Sequence, residues 1–204
     1  FVKGTEAHNN IHGSAILPDA LRWLWRDYPK SIEKTKSPGG DRRYITEFLD
    51  PSSEWELVGQ GYRFTEGPAV DKEGNVFFSD IPNNRILRWD DCSGALSEFR
   101  KPSNHANGLA RDHQGRLLAC EHGTRRVTRT DKKGKVEVVA EKFEGKRLNA
   151  PNDIAVRRDG HVYFTDPAFG SQAEGRELDF YGVYHVTPKG EMAVVAKPKG
   201  RPNG

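Results

Sequence analysis

The sequence has few cysteines, no long apolar run and no strong excess of charge of either sign. Its two cysteines, Cys92 and Cys120, have no close metal-type spacing. They are expected to stay free or to form one bridge, which excludes a disulfide-rich scaffold. The 32 Lys and Arg residues nearly balance the 29 Asp and Glu residues, which argues against a nucleic-acid partner. No apolar run approaches the roughly 18 residues that cross a membrane as a helix.

The two ends and the cysteine content leave the cellular location open. The chain begins with Phe1 and stops at "RPNG" without a closing element. Both ends are therefore interpreted as cut, and a signal peptide upstream stays open. Cytoplasmic and extracytoplasmic locations are both compatible with the sequence, and no pattern indicates an oligomeric state.

Three regions of different character follow one another along the chain. Residues 1–30 contain apolar side chains at helical spacing between Pro18 and Pro29, which predicts an amphipathic helix. Residues 31–54 are polar and contain a Pro-Gly-Gly stretch, which is typical of a linker. From residue 55 to 204 the pattern changes to short strands separated by Gly, Asp, Asn and Lys turns.

An internal repeat occupies residues 55–204. "EGPAVDKEGNVFFSD" begins at Glu66, "NGLARDHQGRLLACE" at Asn107 and "NDIAVRRDGHVYFTD" at Asn152, and "NG" recurs at Asn203. The intervals are 41, 45 and 51 residues, and two more strand-like segments follow each full copy. Four strands in about 40 to 50 residues is typical of a β-propeller blade. The region is therefore predicted to be all-β, with about three and a half blades.

The side chains that open each repeat suggest a cation site. In a propeller the first strand of each blade is innermost, so Glu66, Asn107, Asn152 and Asn203 are expected to converge on the central channel. One carboxylate and three amide oxygens suit Ca²⁺, which takes such ligands at roughly 2.3–2.6 Å, and do not match the preferences of zinc or copper. Turn capping is the alternative for the asparagines, Asn107 above all, whereas Glu66 has no evident turn role.

The repeat region resembles the family of senescence-marker-protein and gluconolactonase propellers, which are six-bladed, calcium-dependent lactonases. The resemblance covers roughly residues 55–204 and is carried by "TEGPAVDKEGNVFFSDIPNNRILRWD", "GRLLACEHGTRRVTR", "FEGKRLNAPNDIAVRRDGHVYFTDPAFG" and "RPNG". The third motif is long and distinctive. The resemblance implies that this region is part of a six-bladed propeller with one catalytic divalent cation in its channel.

Individual residues take their implied roles from the same motifs. Glu66 in "EGP" and Asn203 in "PNG" match metal ligands of the family, and Asn152 in "PND" matches an asparagine that contacts metal or substrate. Ca²⁺ is the preferred ion, and Mg²⁺, Mn²⁺ and Zn²⁺ stay open. Arg147 in "RLN" is similar to a substrate-binding arginine, although its spacing to the Asn-Asp pair is longer. The last ligand, an aspartate commonly assigned as the general base, is expected beyond Gly204, so this segment alone is expected to be inactive.

Other polar residues of the repeats are weaker site candidates. Asp153 is a catalytic candidate, as a neighbour of the base or an orienter of the preceding asparagine, with turn capping as the alternative. His122 and Asn107 are candidates for substrate contact, and a structural or solvent-facing histidine is the alternative for His122. Asp166 in "FTDP" is interpreted as a turn residue before Pro167.

The first thirty residues resemble the C-terminal end of α/β-hydrolases of the enterochelin-esterase type. The segment "GTEAHNNIHGSAILPDALRWLWRDYP" carries this resemblance. It implies that His8, or alternatively His12, is the histidine of a catalytic triad whose serine and acid lie upstream. The alternative is an ordinary surface loop followed by a docking helix.

Metal-dependent hydrolysis of a sugar lactone or a related ester is the function that these observations favour. A divalent cation can polarise the carbonyl and acidify a bound water while a carboxylate takes the proton. The expected partner is a small-molecule lactone or ester. Two alternatives stay open: a non-catalytic propeller that binds Ca²⁺ or another ligand, and an aryl-ester or phosphotriester hydrolase on the same scaffold.

Overall fold

The computed structural model describes residues 57–169 and 174–204, and these ranges are built from strands. The helix predicted before Pro29, His8 and the linker lie outside the described residues. The first sheet contains β1 (Thr65–Val70), β2 (Val76–Asp80), β3 (Arg85–Trp89) and β4 (Leu96–Arg100). The second contains β5 (Ala106–Arg111), β6 (Leu117–Glu121), β7 (Arg126–Thr130) and β8 (Val136–Ala140). A short hairpin of β9 (Lys142–Phe143) and β10 (Lys146–Arg147) precedes the third sheet, which contains β11 (Ile154–Val156), β12 (Val162–Asp166), β13 (Gly182–Val186) and β14 (Met192–Ala196).

Each four-stranded sheet is an antiparallel meander in which sequential strands are neighbours. Tight turns ending in glycine join the first strand to the second. In the first sheet, the Gly74 amide donates to the Asp71 carbonyl at 3.2 Å, and Gly74 has a φ of 87°. That left-handed conformation favours glycine. The Asp71 carboxylate accepts the amides of Glu73 and Asn75, at 3.1 and 2.9 Å, and so closes the turn.

The hydrophobic core lies between the sheets. Strand β6 is buried along its whole length, because its side chains alternate between the two neighbouring sheets. Leu117 packs in a cluster with Phe77 of the first sheet. Leu118 packs in a second cluster with Phe164 and Tyr184 of the third sheet. This burial on both faces explains the continuous apolar run of the middle sheet.

The first strands of the three sheets approach one another closely. Strand β5 contacts both β1 and β11, and the Gly108 amide donates to the Asn152 carbonyl at 2.7 Å. A Cβ atom on Gly67 would come within 2.3 Å of the Asn107 carbonyl oxygen, and one on Gly108 within 2.6 Å of the Asn152 carbonyl oxygen. Glycine is therefore required for this approach.

Three consecutive meanders with adjoining first strands are the arrangement of propeller blades. The all-β prediction for this region is confirmed, whereas the count of six blades and the esterase-type tail stay predictions. Cys92 is an exposed free thiol and Cys120 a buried one. Within the described ranges, no helix has the length and apolarity needed to cross a membrane.

Candidate functional site

A cavity of about 280 Å³ lies where the first strands of the three sheets begin. The side chains that open the four sequence repeats lie together in the wall of this cavity, and Asp153 lies beside them. Its lining residues are Glu66, Gly67, Pro68, Asn107, Leu109, Asn152, Asp153, Ile154 and Asn203. Asn203 lies near the end of the chain and is exposed on the cavity rim.

A larger cavity, of about 610 Å³, lies at the opposite end of the strands. It is lined by the turns that follow β1, β5 and β7, and it shares no lining residue with the first cavity. Its charged side chains include Asp71, whose carboxylate is already used to close a turn. The smaller cavity is therefore the better candidate, because its polar groups converge without serving the turns.

Glu66 is the carboxylate at the start of β1, where it is half-buried. Among the described residues it has no ion pair and no side-chain hydrogen bond. The buried acids nearby differ in this respect, because Asp80 pairs with Arg85 at 2.9 Å and Glu121 pairs with Arg100 at 2.9 Å. A carboxylate withdrawn from water needs a compensating partner. Glu66 thus presents an uncompensated negative charge to the cavity.

Asn152 is held by its backbone and leaves its side chain free for a ligand. It is only 4% exposed. Its amide donates to the Thr165 carbonyl at 2.9 Å, and its carbonyl accepts the Gly108 amide. No described residue forms a hydrogen bond with its side chain. The strand pairing therefore fixes the position of a buried amide whose oxygen remains available.

Asn107 and His122 form a buried pair beside the cavity. The distance from Asn107 Nδ2 to His122 Nε2 is 3.3 Å. Burial, aided by the nearby His105, lowers the pKa of His122 to about 4, so its ring is neutral at pH 7 and Nε2 can accept the amide hydrogen. The carbonyl oxygen is then the atom that Asn107 can offer to the cavity. His122 thus orients a lining residue, while its own side chain is not part of the cavity wall.

Asp153 is the second carboxylate in the wall. Its Oδ1 accepts the Ile154 amide at 2.9 Å, and its own amide donates to Thr165 Oγ1 at 3.1 Å. The repeat has glycine at this place in the first and second sheets, as Gly67 and Gly108. The third sheet therefore carries a carboxylate where the others have no side chain.

The structure does not bring Arg147 into the cavity wall. Arg147 lies on β10 and is exposed. Its backbone amide donates to Glu177 Oε2 at 2.8 Å, and its guanidinium lies 3.5 Å from the Thr124 carbonyl oxygen. Arg147 ends the β9–β10 hairpin, and four residues separate it from the Asn-Asp pair that lines the cavity.

The donor set fits a hard divalent cation. Two carboxylates and three amide side chains line a single cavity, and all can offer oxygen, which is the ligand atom that Ca²⁺ and Mg²⁺ take. Within the described residues, no group of three or more His, Cys, Asp or Glu side chains is arranged to hold a metal ion.

Glycines that follow the repeat-opening side chains and one buried serine also contribute to the site. The residue after each repeat-opening side chain is Gly67, Gly108 or Gly204, except in the third sheet. That regularity was visible and reflects the close approach of the inner strands. The Ser79 hydroxyl donates to the Asn107 carbonyl at 2.7 Å, which ties the first sheet to the second, and no sequence pattern indicates this contact.

Comparisons with known proteins agree with this arrangement. A gluconolactonase of Zymomonas mobilis is 33% identical over 179 residues, covering 78% of this chain and 50% of that protein. A diisopropyl-fluorophosphatase of Loligo vulgaris is 28% identical over 158 residues, covering 68% of this chain and 50% of that protein. The solved structure of a gluconolactonase from Xanthomonas campestris is 34% identical with a TM-score of 0.68, covering 72% of this chain and 52% of that one.

The chain spans about half the length of the curated relatives it matches. The family described as the SMP-30/Gluconolactonase/LRE-like region matches residues 64–204, which contain all three sheets and the whole cavity wall. This chain belongs to the SMP-30/gluconolactonase/LRE-like family.

Proposed function

We propose that this chain contributes to a metal-dependent hydrolase site that opens a sugar lactone or a related ester. The observation that carries the proposal is the half-buried Glu66 carboxylate, which has no counter-charge among the described residues and shares its cavity with three amide side chains. A cation in the cavity would compensate the charge of such a group. Glu66, Asn152 and Asn203 would hold it, with Ca²⁺ preferred because two of the three ligands are neutral amides.

The bound cation would supply Lewis-acid polarisation of the substrate carbonyl and a more acidic water. Residues of this chain would contact the substrate and the attacking water. Asn107, whose amide nitrogen is engaged by His122, offers its carbonyl oxygen to a hydroxyl group of the sugar. Asp153, the wall carboxylate that is not assigned to the cation, would accept a hydrogen bond from the attacking water and so assist the general base.

The relatives support the substrate class. Two of the proteins reported above are gluconolactonases, and a cavity of about 280 Å³ is close to the lower end of the roughly 300–1,000 Å³ that small-ligand sites occupy. A monosaccharide lactone is a substrate of suitable size. Arg147 is not assigned to substrate binding, since it lies outside the cavity wall.

The proposal is tested by cation binding and by lactone hydrolysis. Ca²⁺ binding to this chain is measured by calorimetry for wild type, Glu66→Gln and the control Glu73→Gln, which changes an exposed turn glutamate of the same sheet. Hydrolysis of an aldonolactone by the protein that contains this chain is followed as the fall in pH, with Ca²⁺ and then with chelator. The proposal is supported if Glu66→Gln loses Ca²⁺ binding and lactone turnover while Glu73→Gln keeps both.

Two other outcomes separate the alternatives. Unchanged Ca²⁺ affinity in Glu66→Gln would show that the cation site is wrong. Ca²⁺ binding without turnover of any lactone would favour a binding module. The similarity to diisopropyl-fluorophosphatase favours one further activity, phosphotriester hydrolysis, and fluoride release from diisopropyl fluorophosphate measures it in the same preparations.

A further inference from the structure

Each sheet ends its second strand with a fully buried acid. These acids are Asp80, Glu121 and Asp166, and each has 0% exposure. Each lies 14 residues after the side chain that opens its repeat. The same offset in three sheets places an acid beside the segment that enters each first strand. The interpretation of Asp166 as a turn residue is therefore wrong, because this carboxylate lies at the end of β12 and faces the backbone of another segment.

In the third sheet, the acid binds two consecutive peptide groups. Asp166 Oδ2 accepts the Asn149 amide and Oδ1 accepts the Ala150 amide, both at 2.8 Å and both buried. Ala150 lies two residues before Asn152. The two bonds therefore fix the segment that delivers Asn152 to the cavity, and they do so from the neighbouring strand.

The first sheet contains the same arrangement of an aspartate and two consecutive peptide groups. Asp80 Oδ1 accepts the Arg63 amide at 3.1 Å and the Phe64 amide at 3.3 Å. Phe64 lies two residues before Glu66, as Ala150 lies two residues before Asn152. In both sheets an aspartate thus binds the two peptide groups that precede a proposed cation ligand by two and three residues.

The second sheet lacks this contact and supplies no proposed cation ligand. Glu121 accepts bonds from side chains only, which belong to Arg100, Asn104, Thr124, Arg126 and Thr128. The longer glutamate reaches past the entering backbone to these groups. We call an aspartate that accepts two consecutive peptide N–H groups a backbone clamp. It is present in the two sheets that carry Glu66 and Asn152.

We propose that Asp80 and Asp166 are positioning residues that aim Glu66 and Asn152 at the cation. This inference rests on the proposed function. An outer group that orients a metal ligand typically contributes about 10- to 100-fold in metal affinity. Each aspartate here acts through two peptide hydrogen bonds rather than through the ligand side chain, so it sets where the ligand's Cα lies.

Asp166 gives the cleaner test of the two. Its cross-strand partner on β13 is Gly182, whereas Asp80 faces Arg85 in the equivalent pairing. Replacing Asp80 would leave the half-buried Arg85 without its partner, but no ion pair of Asp166 with another described residue would be broken. Asp166→Asn keeps the shape of the side chain and presents an amide NH₂ group to one of the two peptide N–H donors, which breaks half of the clamp.

The experiment compares wild type, Asp166→Asn and the control Asp159→Asn, which alters an exposed acid of the same sheet. Amide hydrogen exchange is measured on the metal-free chain, and Ca²⁺ affinity is measured by calorimetry. Asp166→Asn is expected to exchange faster at Asn149 and Ala150 while β12 and β13 stay protected, and to bind Ca²⁺ about 10- to 100-fold more weakly. Asp159→Asn should match wild type in both.

The other outcomes are equally informative. Wild-type affinity in Asp166→Asn would overturn the inference and leave the proposed function intact. If wild type binds no Ca²⁺, the proposed function fails. Amide hydrogen exchange then decides whether Asp166 fixes the segment, and unchanged protection of Asn149 and Ala150 in Asp166→Asn would refute that role. If Asp166→Asn does not fold, Asp166→Glu keeps the charge and shifts the carboxylate by one methylene, and wild-type affinity in that variant would also overturn the inference.

Discussion

The fold should lose stability through Asp166 as the pH rises from about 4 to about 7. Burial raises the pKa of Asp166 from 3.8 to about 7, against the opposing effects of the Asn149 and Ala150 amides and of Arg125 and Arg176. The folded state therefore holds a proton in this window that the unfolded chain has released. The stabilisation is complete below the unfolded pKa and is lost as the pH passes through the folded pKa.

The size of the effect follows from the two pKa values. The difference between the pKa of 3.8 and the pKa of about 7 corresponds to about 4 kcal/mol of unfolding free energy, because one pKa unit corresponds to about 1.4 kcal/mol. Solvent does not screen this carboxyl, because Asp166 has 0% exposure. No arginine stands across the strand pair to hold the charge, since Gly182 occupies that place.

Urea unfolding of wild type and Asp166→Asn across this pH range, without metal, measures the effect. Because asparagine does not titrate, the unfolding free energy of wild type should fall relative to that of the variant as pH rises. The comparison cancels His122, whose lowered pKa acts in the opposite direction between about 4 and 6.5. Asp80→Asn is the matched contrast, because hydrogen bonds and Arg85 outweigh burial and lower the pKa of Asp80. A free-energy difference between wild type and Asp166→Asn that stays flat with pH would refute the reasoning.

Three further predictions concern packing and the polar pair of the cavity. Gly108→Ala should lower the unfolding free energy by about 1–3 kcal/mol or more, because its Cβ would meet backbone at 2.6 Å; Gly200→Ala, which has open space, should unfold in urea like wild type. Phe164→Ala should cost about 3–5 kcal/mol in the same assay, since the ring is 1% exposed and stacks on Tyr184. The ring resonances of His122 should begin to titrate only below about pH 5 in NMR spectra, because its pKa is about 4; a midpoint near 6.5 would contradict its neutral role.

The strand pattern of this region could be predicted because it depends on local alternation and on the repeat. The sequence analysis predicts two strands after each full copy of the repeat, and after the first copy they are β3 and β4. Side chains that alternate between two faces leave a period of two in the sequence, and glycine turns mark the ends. The four-strand repeat unit is confirmed for the same reason, as every sheet is a meander of sequential neighbours.

The clamp of Asp166 could not be predicted from local sequence. An aspartate before proline is a common turn signal, and the peptide groups that it binds are 16 and 17 residues away. The position of Arg147 could not be predicted from its motif either. It lies on the β9–β10 hairpin and is not among the residues that line the cavity, and its role in substrate binding stays a prediction. Both cases depend on which segments the fold brings together, which the order of residues does not show.

Departures from the repeat point to the third sheet as the chemically specialised one. Where the first and second sheets have Gly67 and Gly108, the third has Asp153, a carboxylate in the cavity wall. Where they place Arg85 and Arg126 across from the buried acid, the third places Gly182.

The first departure adds a carboxylate to the cavity wall, and the second leaves the buried Asp166 without an arginine across the strand pair, although a buried acid without a partner is costly. In a repeating fold, two units can share a pattern that the third unit breaks at a cost in stability. Such a departure is expected at a functional position. The third sheet departs from the repeat at both ends of this comparison: at Asp153, which lines the cavity, and at Gly182, which faces Asp166 on the neighbouring strand.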